Sequence, residues 1–217
     1  CGGRTPKRPW RPWACEGISV KLERCDYPCT DTNRDFITPD FRGDRSTIRI
    51  VMVSEAPSAD HSDYFYRDER GAFFLTTRTA FGDAGCAISS YDDLTRMGVY
   101  LTTAIKCSKS DYRVSAGTID ECSSRYLARE LSSFAGVRVI MCMGDFAIRA
   151  VNRIYRNAYG VTPIPKGPTY KIRNATHEYN GIVFIPSYTQ TGDSFNIEQS
   201  KRKMIAEDIG KALEIIR

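Results

Sequence analysis

The sequence has no run of about eighteen consecutive apolar residues, so we expect no membrane-spanning helix. Its N-terminal stretch, CGGRTPKRPWRPWAC, lacks the apolar core of a secretory signal peptide, which disfavours a secreted protein with a disulfide framework. We therefore expect a cytoplasmic protein in which some of the eight cysteines bind metal or act in catalysis, rather than forming disulfides. There is no internal repeat and no low-complexity segment, and 217 residues fit one large domain with or without a tail.

The charge of the sequence is moderately basic and unevenly distributed. The formal net charge is +5, and the residues before Glu16 include basic side chains but no acidic one. A basic excess suits a polyanion such as nucleic acid, although a solvated basic tail explains the same pattern. We interpret residues 1–24, rich in Pro, Arg and Trp, as an extended arm and residues 25–217 as the folded domain.

Strand-like and helix-like segments alternate along the chain. Near-continuous apolar runs predict four buried strands, at 47–57, 98–107, 137–144 and 181–188. Helical patterns follow or separate them, at 74–96, 117–134, 145–156 and 195–216. This alternation predicts an α/β fold, a three-layer α/β/α domain with a central, mostly parallel four-stranded sheet.

Ligands of such sheets bind beyond the carboxyl ends of the strands, which places the loops SEAPSADH, TTAIKC, MGDF and PSYTQTGD around one cleft. In the first loop, Glu55, Asp60 and His61 could orient or activate a water molecule. A polar loop with local Asx-type turns is the alternative. Phe73 and Phe74 could stack on a base, although a phenylalanine pair is more often part of the core.

Four of the cysteines form the most distinctive pattern in the sequence. Cys25 and Cys29 lie close together, and Cys107 and Cys122 are separated by fifteen positions across a polar loop. Four thiolates can hold an iron–sulfur cluster or a zinc ion. Cys15 could replace one member of the first pair.

The segments CDYPC, SEAPS, GAFF, TAIKC, DECSSRYL, MGDFAIRAV and IPSY, in that order, resemble the uracil-DNA glycosylase superfamily. The resemblance is to its iron–sulfur, thermophile-type (family-4-like) branch and extends over roughly residues 22–215. It implies a structural [4Fe–4S] cluster held by Cys25, Cys29, Cys107 and Cys122. Three residues separate the first two cysteines where the family has two, so zinc is the alternative.

The base pocket departs from the family pattern at two positions. The family's Asn, which reads the edge of the flipped base, matches Thr103, and the His of its His-Pro-Ser loop matches Ile185. Thr103 cannot make the paired amide contact, and Ile185 donates no hydrogen bond to the leaving base. We therefore expect relaxed uracil selection, which would accommodate a pyrimidine with a larger 5-substituent.

The resemblance implies a monomeric DNA glycosylase that flips a uracil-type base into a pocket and hydrolyses its N-glycosidic bond. It assigns catalysis to Glu55, Asp60 and His61, base contacts to Phe73, Phe74, Thr103 and Ile185, and DNA contacts to Ser187, Tyr188 and Lys106. Two alternatives stay open. One is a superfamily member that modifies a flipped pyrimidine without excising it, and the other is a non-catalytic DNA-binding protein.

Overall fold

A computed structural model of the protein describes residues 25–192 and 194–217. The arm predicted at residues 1–24, and with it Cys15 as an alternative ligand, lies outside the described residues. Among the described residues, five strands form one sheet in the order β2-β1-β3-β5-β4. Their bounds are β1 Ile50–Ser54, β2 Val99–Thr103, β3 Val139–Met143, β4 His177–Tyr179 and β5 Ile182–Ser187.

The four predicted strands are β1, β2, β3 and β5, and they pair in parallel as expected. The prediction of a four-stranded sheet misses β4, a short edge strand that runs antiparallel to β5. Asn180 and Gly181 connect these two strands with positive φ angles of 52° and 78°. This is the geometry of a two-residue hairpin turn, which an Asn-Gly pair favours. A strand of three residues has no apolar run to reveal it.

Helices cover both faces of the sheet. Their bounds are α1 Ala72–Asp83, α2 Tyr91–Arg96, α3 Ala116–Cys122, α4 Ala128–Ser132, α5 Asp145–Tyr159, α6 Thr169–Ile172, α7 Ser194–Ile197 and α8 Gln199–Ile216. A π-helical turn at Ser123–Leu127 joins α3 to α4 without interrupting the helical backbone. Among the described residues, no helix is long and apolar enough to cross a membrane.

Two hydrophobic cores lie on opposite faces of the sheet, because successive strand side chains point to opposite sides. Ile50 and Met52 of β1 pack in the core that contains buried residues of α1, α2 and α8. Val51 and Val53 pack in the core that contains buried residues of α3, α4 and α5. The domain therefore has the three α/β/α layers that the sequence predicts.

A buried ion pair connects the end of β2 to α4. The Lys106 ammonium lies 2.5 Å from Oε2 of Glu130, and both side chains are buried. Lys106 also donates to Oγ1 of Thr102 at 2.7 Å and to the carbonyl oxygen of Thr103 at 2.8 Å. Glu130 accepts hydrogen bonds from the hydroxyls of Thr102 and Tyr100. The pair thus has hydrogen-bond partners on both sides, which a buried pair needs in order to be stable.

We expect Lys106→Met to lower the free energy of unfolding by about 3–5 kcal/mol, because it leaves the Glu130 carboxylate buried without a counter-charge. The double variant Lys106→Met/Glu130→Leu should recover much of this loss. Urea unfolding of both variants measures the effect. Arg42→Met, which breaks the exposed pair of Arg42 and Asp40, is the control and should cost less than about 1 kcal/mol. A loss equally small for Lys106→Met would contradict the role given to the buried pair.

Candidate active site

One open cleft lies at the carboxyl edge of the sheet, where the loops after β1, β2, β3 and β5 meet. Glu55, Lys109, Gly144 and Tyr188 each line it from a different one of these loops. The topology predicts this position for a ligand site, because parallel strands end at the same edge.

Glu55 follows the last residue of β1, and its side chain is 24% exposed. One carboxylate oxygen, Oε2, lies 3.4 Å from Nζ of Lys109. Burial raises the pKa of Glu55 above its ordinary value, the nearby Lys109 opposes that rise, and the charge of Asp145 adds to it. The surroundings of Glu55 therefore raise its affinity for a proton, and Lys109 limits that rise.

Gly144, between β3 and α5, allows the loops to approach Glu55. Its φ is +105°, a conformation that L side chains rarely adopt. A Cβ atom at this position would lie 2.7 Å from Oε1 of Glu55 and 2.6 Å from Oγ1 of Thr189. The backbone N–H of Gly144 donates to the carbonyl oxygen of Ser187 at 3.0 Å. Because Gly144 has no side chain, the loops after β1, β3 and β5 can approach one another closely at this point.

Asp60 and His61 are not among the side chains that line the cleft. The carboxylate of Asp60 caps a short 3-10 turn, His61–Asp63, by accepting hydrogen bonds from the backbone N–H and the hydroxyl of Ser62. Nε2 of His61 lies 2.9 Å from Oδ2 of Asp35. The local-turn alternative thus describes Asp60, and Glu55 is left as the carboxylate of this loop that faces the cleft.

The four side chains predicted to contact a base are divided between the cleft and the core. Phe73 lines the cleft but is only 8% exposed and packs in the same hydrophobic core as Phe74, whose ring centroid lies 4.7 Å from that of Tyr91. The hydroxyl of Thr103 is buried and hydrogen-bonded to that of Tyr64 at 2.8 Å. Ile185 is part of the hydrophobic core. Phe73 is therefore the member of this group that faces the cleft.

Of the residues predicted to contact DNA, Tyr188 lines the cleft, and Nζ of Lys201 lies 5.4 Å from its ring centroid. Ser187 is buried, and its hydroxyl donates to Oδ2 of Asp208 at 2.8 Å. Lys106 requires a correction. It has no exposed surface and pairs with Glu130, so its ammonium has no access to a phosphate.

The sequence does not single out Lys109 and the aromatic side chains around it. Nζ of Lys109 lies 5.4 Å from the ring centroid of Phe146 and 6.0 Å from that of Tyr112. The side chains of Tyr112 and Tyr170, both of which line the cleft, belong to residues that are 85% and 55% exposed. Cations beside exposed rings suit phosphates and unstacked bases. The polar loop KCSKSDYR carries the only signal that could have indicated this surface.

The four predicted cysteine ligands line one small cavity of about 20 Å³, together with side chains such as Phe36 and Tyr126. Burial raises the pKa of both the Cys107 and the Cys122 thiols to about 12, and the neighbouring cysteines contribute to the rise. The backbone N–H of Lys106 points to Sγ of Cys122 at 3.3 Å. Among residues 25–192 and 194–217, no group of three or more His, Cys, Asp or Glu side chains is arranged to hold a metal ion.

Comparison with known proteins identifies a family and two relatives. A family model described as Uracil DNA glycosylase superfamily matches residues 42–206. The Type-5 uracil-DNA glycosylase of Thermus thermophilus is 28% identical over 149 residues, which cover 66% of this chain and 68% of that protein. The Type-4 uracil-DNA glycosylase of Archaeoglobus fulgidus is 26% identical over 154 residues, which cover 70% of this chain and 69% of that protein.

We expect Gly144→Ala to destabilise the domain more than Gly160→Ala, by about 1–3 kcal/mol, because only the first variant forces a Cβ into occupied space. Both glycines have positive φ, but nothing lies within 4 Å of a Cβ at Gly160. Gly160→Ala therefore reports the backbone strain alone. Thermal or urea unfolding of the two variants gives the difference, and equal losses would show that Gly144 is needed only for its φ angle.

Proposed function

Because the chain belongs to the uracil DNA glycosylase superfamily, we propose that it is a DNA glycosylase acting on a flipped, uracil-type base. The observation that carries this proposal is the placement of Glu55, a carboxylate at the end of β1 that is partly buried and lines the cleft beside Lys109. The names of the two relatives, both uracil-DNA glycosylases, support the same class of reaction.

In the proposed reaction, the ionised Glu55 orients a water molecule towards C1′ of the flipped nucleotide and accepts a proton from it. The glycosidic bond breaks, its electron pair leaves with the base, and a hydroxyl forms on C1′. The negative charge of Glu55 also stabilises the positive charge that develops on the sugar. Lys109 favours the ionised form of this carboxylate, because its ammonium opposes the effect of burial on the pKa of Glu55.

The cleft offers a stacking surface for the base and cations for the DNA backbone. Phe73 is the ring that we assign to stacking on the flipped base. Tyr188 with Lys201, and the exposed Tyr112 beside Lys109, would contact the strand on either side of it. The proposed substrates include 5-substituted uracils, such as 5-hydroxymethyluracil, because Thr103 and Ile185 stand where the family has the Asn and His that select uracil.

We propose that Cys25, Cys29, Cys107 and Cys122 hold a [4Fe–4S] cluster with a structural function, since all four line one cavity and Cys122 receives a backbone N–H. The cluster would fasten the segment around Cys25 to α3 and to the end of β2. The same four thiolates could hold a single zinc ion, which is the alternative occupant. No group of described side chains is arranged to hold a metal ion, so the iron content of the purified protein decides between the two.

One observation favours a second candidate function. The hydroxyl of Thr103 is engaged by Tyr64, and Ile185 is apolar, so neither position offers a free donor for the charge on a leaving base. A superfamily member that modifies a flipped pyrimidine without releasing it would not need those donors. A DNA-binding protein without activity would not need Glu55 in the cleft.

Glu55→Gln should abolish the formation of abasic sites, with a rate loss of at least about 100-fold, while leaving DNA binding intact. The amide retains the shape of the carboxylate but accepts no proton. Strand cleavage after alkali measures excision, and gel shift measures binding. Glu198→Gln, which alters another carboxylate lining the cleft, is the matched control and should retain activity. Full activity of Glu55→Gln would refute the assigned role.

Lys109→Met should move the acid limb of the pH–rate profile to higher pH. Burial raises the pKa of Glu55 and Lys109 lowers it, so removing the lysine lets that pKa rise and the carboxylate lose its charge at a higher pH. Single-turnover excision rates across a pH series give the profile. Lys201→Met, which removes a cleft lysine paired with Glu198 instead, should leave the limb in place. A limb that stays or moves to lower pH in Lys109→Met would contradict the proposal.

Anaerobically purified protein should be brown and contain about four iron atoms and four acid-labile sulfides per chain. Cys29→Ser should lose most of this iron, because it removes one of the four proposed ligands. Cys86→Ser is the control, since Cys86 is a free cysteine that packs with the core on the other side of the sheet. A colourless protein that contains stoichiometric zinc would contradict the cluster.

A further inference from the structure

The amide of Gln190 is buried with one polar atom unpaired. Gln190 lies in the loop after β5, has no exposed surface, and accepts a hydrogen bond from the hydroxyl of Ser54 at 3.1 Å. Its Nε2 has no hydrogen-bond partner among the described residues. Exchanging the two amide atoms would pair the nitrogen with Ser54 and leave the oxygen unpaired instead. A buried polar group without a partner is costly, which points to a partner that arrives with a ligand.

The register of the sheet places this amide beside the position that reads the base in the family. Ser54 is the last residue of β1, and its register partner on β2 is Thr103. Partners in a parallel pair point to the same face of the sheet, and adjacent strands lie about 4.8 Å apart. The Ser54–Gln190 contact is therefore about one strand spacing from Thr103. Glu55, Thr189 and Thr191, the chain neighbours of this contact, all line the cleft.

We propose that Gln190 reads the edge of the flipped base in place of the family's Asn. This inference rests on the proposed function. Nε2 would donate to a carbonyl oxygen of the base, and Oε1, which has two lone pairs, would accept from the adjacent ring N–H while keeping its bond to Ser54. The matching ligand is a base edge with a carbonyl beside an N–H, as in uracil, thymine and 5-hydroxymethyluracil. Cytosine presents an amino donor beside an unprotonated nitrogen and does not fit this orientation.

Because Gln190 is fully buried, a base reaches its amide only after a neighbouring side chain moves. Tyr64, which is also fully buried, is the side chain to which we assign this movement. Its hydroxyl bonds Thr103, and its ring lies edge-on to Phe73, with 6.4 Å between the ring centroids. A base that stacks on Phe73 and extends towards Gln190 would take the place of the Tyr64 ring.

The test compares binding of two oligonucleotides that the protein cannot cleave. One carries a single 2′-fluoro-2′-deoxyuridine, whose glycosidic bond resists hydrolysis, and the other carries a tetrahydrofuran abasic analogue at the same position. The ratio of the two dissociation constants isolates recognition of the base from contacts with the backbone. We expect Gln190→Leu to reduce that ratio by about 10- to 100-fold, the discrimination that a bidentate contact to a base edge supplies.

Two further variants keep the result unambiguous. Gln199→Leu alters an exposed glutamine at the start of α8 and should leave the ratio unchanged. Gln190→Glu retains the size of the side chain but removes the Nε2 donor, so it should also reduce the ratio if Gln190→Leu fails to fold. Thermal unfolding identifies folded variants.

An unchanged ratio in folded Gln190→Leu or Gln190→Glu overturns the inference and leaves the proposed function standing. Base-dependent binding by the wild type without any excision of uracil, 5-hydroxymethyluracil or thymine opposite guanine refutes the glycosylase, and the loss of that binding in the Gln190 variants still supports the inference. A wild type that binds both oligonucleotides equally overturns the inference, and the excision assay then decides the proposed function separately.

Discussion

The parallel register of β2, β1, β3 and β5 makes all four strands end at one edge of the sheet, and the candidate site depends on this constraint. Ser54 pairs with Thr103, and Met143 pairs with Ser187. The loops that follow must therefore share one small volume, in which Gly144 leaves room for the Glu55 carboxylate. A shift of one residue in this register would turn the strand-terminal side chains to the opposite face of the sheet, and the cleft residues would no longer meet.

At that edge, the two faces of the sheet carry different kinds of buried polar group. On the side of α4, a charged pair with hydrogen bonds on both partners fixes the end of β2. On the other side, each strand-terminal hydroxyl bonds to one buried partner: Thr103 to Tyr64, Ser54 to Gln190, and Ser187 to Asp208. These bonds hold the strand-terminal polar groups in position before a ligand arrives, and the bond between Thr103 and Tyr64 is the one that the entering base would break.

Much of this could be predicted from the sequence, for identifiable reasons. Continuous apolar runs reveal the four parallel strands, and strand ends reveal the cleft and Glu55. The pairing of distant side chains could not be predicted. Lys106 and Lys109 are equally polar in sequence, yet Lys106 turns inward to Glu130, 24 positions away, and Lys109 turns to Glu55. Asp60 satisfies a local turn, a role that its residue type permits as readily as catalysis.

The central claim is that the cleft beside Glu55 releases a base from DNA. The most direct test is mass spectrometry of oligonucleotides containing a single uracil, 5-hydroxymethyluracil, thymine opposite guanine, or hypoxanthine, after incubation with anaerobically purified protein. A glycosylase leaves an oligonucleotide lighter by one base and heavier by one hydroxyl, at one of the pyrimidine lesions. Intact strands with unchanged masses on all four substrates would contradict excision, which is the central claim.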